Sequence, residues 1–148
     1  MNKENLLKLA KFLDELPEDY KHFNMHSWTT SEKVDVDPDQ LLDTNISKCG
    51  YVACAVGHAP QALGLMVEDL RGFYVWSDFV EEYLCSDWKT AEWLFGAFWE
   101  KVDNTPKGVA KRIRYVIKNG PAIPLLVFER KGAPEELLEQ TVHLYEEY

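Results

Sequence analysis

The stretch DNTPKGVAKRIRYVIKNGP, residues 103–121, carries signals for both ends of a helix. Thr105 has the short side-chain oxygen that accepts an N–H bond at a helix start. Pro106 suits the first helical position, where no N–H bond is lost. Asn119-Gly120 suits the left-handed turn that stops a helix. Between these ends Val109, Ile113, Val116 and Ile117 recur at helical spacing, so one face must be covered by a core.

Other amphipathic segments can supply that cover. Over residues 4–16, Leu6, Leu9, Ala10, Leu13 and Leu16 follow the same spacing, with Lys8, Lys11, Asp14 and Glu15 opposite, and Pro17 stops the helix. Residues 29–37 and 44–48 are polar and read as connections, with a short helix over 38–43 opened by Asp37-Pro38. Aromatic residues concentrate between Phe73 and Trp99. Ser77-Asp78 and Ser86-Asp87 predict helices over 78–84 and 88–95. PAIPLLVFE, residues 121–129, reads as extended or as one strand, and Pro134 opens a last helix towards Tyr148. The expected fold is therefore mainly α: one compact domain over 1–148, built from several short helices, with a minor β element near 122–129. A chain of 148 residues can bury one sizeable core.

Composition narrows the function classes. No apolar run reaches about 18 residues, so no membrane span or membrane partner is expected. The N-terminus lacks the features of a signal peptide. The cysteines are Cys49, Cys54 and Cys85, an odd set that suits reduced thiols in the cytoplasm. A net charge of −9 repels duplex nucleic acid at long range. No cofactor motif of the G-x-G-x-x-G or G-x-x-x-x-G-K-[ST] type occurs, so no cofactor is expected.

CGYVACAVGHA, residues 49–59, reads as a buried small-residue helix ended by Pro60, and admits three roles. The first is catalytic. Cys49 at a helix N-terminus would have a lowered thiol pKa, and Cys49 or Cys54 with His58, His26 or His22 would make a cysteine-dependent hydrolase. The second is a metal site of Cys49, Cys54 and His58. Cys54 and His58 share a helix face, although structural zinc usually takes paired ligands and no second pair is spaced to complete a set. The third is packing: thiols act as small hydrophobes, glycines permit a close crossing, and His58 at the helix end is hydrogen-bonded and favoured as a cation. Packing is the favoured reading.

The helix after Thr105 has a second feature. Lys107, Lys111, Arg114 and Lys118 fall within about 60° of one another around the axis. With Arg112, five of sixteen cationic residues sit on this one helix. The stripe is either a solvated face bridged to acidic neighbours, such as the C-terminal glutamates, or a docking face for an anion. In the docking reading Thr105 and Lys107 contribute free N–H groups at the helix start, and Gly108 leaves room for a ligand. Trp93, Phe95 and Trp99 would either fill a core or stack on a base. Glu81, Glu82 and Asp87 read as surface carboxylates, with no pairing suited to acid-base chemistry.

CGYVACAVGHA, WLFG at 93–96 and DNTPKGVAKRIRYV at 103–116, taken with the opening LLKLAKFLDELP and FNMHSW, resemble a family of small bacterial and phage proteins. The resemblance covers about residues 5–120 and leaves 121–148 as an extension particular to this chain. It implies a small accessory protein, phage-borne in some settings, with no activity attached. The expectation is a non-catalytic binding protein. It would engage an acidic protein or a phosphorylated small molecule such as a nucleotide through Thr105, Lys107, Gly108, Lys111, Arg114 and Lys118. Exposed Leu137, Leu138 and Leu144 on the C-terminal helix would allow a homodimer.

Overall fold

A computed structural model describes residues 1–25, 29–31, 51–73, 75–96 and 103–120. The expected helix over 38–43, the extended segment over 121–129, the C-terminal helix, and Cys49, His26 and Trp99 lie outside the described residues. The described residues are mainly helical with a minor β element, as expected. The helices are α1 (Lys3–Glu15), α2 (Ala55–Ala62), α3 (Trp76–Phe79), α4 (Trp88–Phe95) and α5 (Pro106–Asn119), and the strands are β1 (Thr29–Ser31) and β2 (Tyr51–Ala53).

The two long helices form the frame, and α1 packs on α5 more extensively than any other pair of elements. Asn2 caps α1 by accepting the Asn5 N–H at 3.1 Å. Leu6, Leu9, Ala10 and Leu13 are buried on one face. α5 begins and ends where its sequence says. Thr105 Oγ1 accepts the Gly108 N–H at 3.2 Å, and Gly120 adopts φ 77° as its N–H closes on the Val116 carbonyl. Val109, Ala110, Ile113 and Val116 are fully buried against the frame.

The central segment departs from the sequence expectation. Residues 51–53 are a strand, and the helix starts at Ala55 with Cys54 as its N-cap. β2 runs antiparallel to β1, with Thr29 opposite Ala53 and Ser31 opposite Tyr51, where a loop was expected over 29–37. Ala53 is shared further: its N–H donates to the His22 carbonyl and its carbonyl accepts the Asn24 N–H, both at 3.0 Å. The pairing is non-local, which is why the small residues of 49–59 alone suggested a helix.

Pro60 also fails to stop α2. It lies inside the helix, which continues as Leu63 N–H donates to Ala59 at 2.9 Å. The stop is Gly64 at φ 67°. Its N–H reaches the Gln61 carbonyl, and the Leu65 N–H reaches the Pro60 carbonyl. This double closure is a Schellman ending.

α3 runs directly into a π-helical turn over Val80–Leu84, closed by the Cys85 N–H on the Val80 carbonyl at 2.7 Å. Two carbonyls left over at its end receive donors from the start of α1: Asn2 N–H to Leu84 at 2.8 Å, and the Asn5 amide to Tyr83 at 2.9 Å. Asp87 then caps α4 by accepting the Thr90 N–H at 3.2 Å; it also accepts the Thr90 hydroxyl, and that bond is the main reason its carboxyl lies below its ordinary pKa. Phe73, Trp76, Phe79 and Tyr83 meet ring to ring, and Trp93 stacks on Tyr115 at 6.0 Å. Trp93 and Phe95 are buried, so these two rings fill the core and are not stacking platforms for a base.

Candidate functional site

The cationic stripe lies on the outer face of α5. Lys107, Lys111, Arg114 and Lys118 are all exposed, whereas Val109, Ile113 and Val116 on the opposite face are buried. α1 runs beside the stripe and presents carboxylates to it. Lys107 Nζ lies 3.1 Å from Glu18 Oε1, and the Arg114 guanidinium donates to the Asp14 carboxylate. Lys111 also has an interaction of its own. Lys107 and Arg114 are thus bridged to the C-terminal end of α1 and the residues just after it. Exposed pairs of this kind contribute about 0–1 kcal/mol each, so their carboxylates are exchangeable.

Arg112 departs from the other cations of α5. It is 1% exposed, beside the buried arc of Val109, Ile113 and Val116, and it takes part in an interaction of its own. The signal was present in the sequence, since position 112 falls on the apolar side of the wheel, but its charge masked it.

The start of α5 is occupied by the chain itself. The Gly108 N–H is bound by Thr105, and the Thr105 N–H donates to Asp103 Oδ1 at 2.8 Å. A Cβ at Gly108 would stand 2.2 Å from the Asp103 carbonyl oxygen and 2.4 Å from its carboxyl carbon. Gly108 therefore makes room for Asp103, where space for a ligand was expected. The Asp103 carboxylate takes the position at the positive helix end that an incoming anion would need. Gly108→Ala is expected to destabilise the fold by about 1–3 kcal/mol through this overlap. Urea denaturation checks it, and a loss under about 0.5 kcal/mol would mean that Asp103 yields freely.

The central thiol and imidazole are both buried. Cys54 is 3% exposed, and burial pushes its thiol up from 9.0 to about 11, outweighing the backbone donors of its own helix start. A thiolate nucleophile is disfavoured there. Cys85 is also buried, with its Sγ 3.3 Å from the Asp87 carbonyl.

His58 is fully buried in the middle of α2, with no helix end beside it. Its Nε2 lies 3.0 Å from the His22 carbonyl, and its Nδ1 has no hydrogen-bond partner among the described residues. Phe23 stacks on the ring at 5.8 Å and 6°, while Tyr20 and Phe12 tilt against it at 5.6 and 6.2 Å. Burial lowers its pKa from 6.5 to about 4, so the neutral ring is favoured where a helix-end cation was expected. Among the described residues no group of three or more His, Cys, Asp and Glu side chains is arranged to hold a metal ion. No helix among them is long and apolar enough to cross a membrane.

No family model, no curated protein and no solved structure matches this chain.

Proposed function

We propose that the chain is a non-catalytic binding protein that docks an acidic protein partner on the outer face of α5. The observation that carries this reading is the exposed row of Lys107, Lys111, Arg114 and Lys118 on a chain of net charge −9. Two of these cations already hold carboxylates from the neighbouring helix region, Asp14 and Glu18. The face therefore already accepts carboxylates along its length, at Lys107 and at Arg114. The filled helix start at Asp103 and Thr105 favours an acidic protein surface over a small phosphate group. The burial of Cys54 and of His58 turns the reading away from a cysteine hydrolase. The setting proposed is the cytoplasm, where the thiols stay reduced.

The test uses a helical peptide bearing Glu at four-residue spacing, titrated by fluorescence anisotropy. Binding should weaken steeply with salt. The double variant Lys111→Glu, Lys118→Glu should bind at least about tenfold more weakly, a loss of about 1.4 kcal/mol. No binding by the unmodified chain at low salt, or equal binding by the variant, would remove the proposal. Inorganic pyrophosphate competing better than the peptide would move the ligand class to phosphates.

A further inference from the structure

The segment 17–24, between α1 and the buried Met25 that enters the core before β1, is tied to the core chiefly at His22. The His22 carbonyl accepts two donors, the Ala53 N–H at 3.0 Å and the His58 Nε2–H at 3.0 Å. Asn24 returns one more bond to Ala53. Around that point Tyr20 and Phe23 close over the imidazole from the segment, and Phe12 closes over it from α1. Most of the rest of the segment faces solvent, including Glu18, Asp19, Lys21 and Asn24. With no residue of 17–24 fully buried, and Met25 as the first core residue after it, this stretch can open at lower cost than the α1–α5 frame, giving up the exposed pair of Glu18 and Lys107.

We propose that His58 is a proton-sensitive latch, whose protonation releases the segment 17–24 while the α1–α5 frame stays folded. A proton on His58 would enter at Nδ1, since Nε2 is already donating. That creates a buried N–H donor with no acceptor among the described residues, and a buried charge with no carboxylate in its described surroundings. Among the described residues the titratable groups set against the ring are Tyr20 and His22, with Cys54 one turn earlier at the start of α2. The His22 side chain disfavours a positive charge on His58, and the His22 carbonyl is already engaged. The aromatic faces offer a cation some attraction, but desolvation of the imidazolium is the larger effect. The charge is relieved when the ring reaches water, and that requires Tyr20 and Phe23 to lift away.

Hydrogen exchange followed residue by residue in the full chain tests the latch. A folded pKa of about 4 against 6.5 makes opening about 30-fold more favourable at pH 5 than at pH 7.5. Protection at the Ala53 and Asn24 amides, corrected for intrinsic exchange, should fall by about that factor, while Leu13 and Val116 keep theirs. His58→Gln retains a side-chain donor for the His22 carbonyl and cannot titrate there, so its protection should not change with pH. Ring NMR of the unmodified chain supplies a readout that needs no variant: His58 must take up its proton over the interval in which Ala53 loses protection. Equal loss at all four amides, unchanged protection at Ala53, or loosening while His58 stays neutral would each overturn the proposal.

Discussion

Cutting Trp76 back to alanine is expected to lower the unfolding free energy by about 3–5 kcal/mol, a large share of the stability of an ordinary domain. Trp76 heads α3 and is 1% exposed. Its ring meets Phe79 edge to face at 5.7 Å, and Phe79 in turn stacks on Tyr83 at 5.0 Å. Removing the indole leaves a cavity beside a chain of rings that cannot collapse without breaking their mutual geometry. The indole Nε1–H has no hydrogen-bond partner among the described residues, so Trp76→Phe gives up no such bond there. It should cost less than about 1.5 kcal/mol, because most of the ring volume stays. Urea unfolding of both variants, followed by circular dichroism, separates the two terms. A loss below about 1.5 kcal/mol for the alanine variant would mean that Trp76 is not part of the folded core.

Acidification supplies the second large effect. The folded state holds His58 at about 4 and the unfolded chain at the ordinary 6.5, so the unfolded chain binds the proton more tightly. The neutral ring's full stability is present above about pH 6.5 and is lost progressively down to about pH 4. The difference of about 2.5 units corresponds to about 3 kcal/mol. Carboxylates act lower on the scale: Asp87, held below 3.8 by Thr90, and Glu4, held below 4.5 by Lys8, weaken the fold only near and below those values. Denaturation midpoints between pH 7 and 5 should therefore fall for the unmodified chain and stay level for His58→Gln. A level profile for both would show that the imidazole reaches water in the folded state.

α5 was legible from end to end because Thr105, Pro106 and Gly120 act on the backbone beside them, and that chemistry needs no partner. α1 was legible to within a residue for the same reason, through its leucine spacing. The centre was not. Ala, Gly and Cys at 49–59 carry almost no period, and β2 exists because Thr29 and the segment 22–24 approach it from elsewhere in the chain. Pro60 was read as the stop although Leu63-Gly64 carried the actual ending, and burial of Ala55–Pro60 keeps the proline inside the helix. The cationic row was legible as a face, but the Glu18 and Asp14 carboxylates that answer Lys107 and Arg114, about ninety to a hundred positions earlier, were not. Arg112 was counted among the cations of the helix without a place, although its angle on the wheel sets it beside the apolar face where it is buried.

The distance in sequence between α1 and α5 has a kinetic consequence. α1 leaves the ribosome long before α5, yet its apolar face packs on that helix, which ends at Asn119, and its first turn is tied to Tyr83 and Leu84. During synthesis it gains α2 and the π-helical turn first, and its main cover only after roughly a hundred further residues have emerged. At a chain growth of about 5–20 residues per second that wait lasts on the order of 5–20 seconds. A small helical protein built on such a remote pairing should fold more slowly than bundles whose neighbouring helices are joined by short turns.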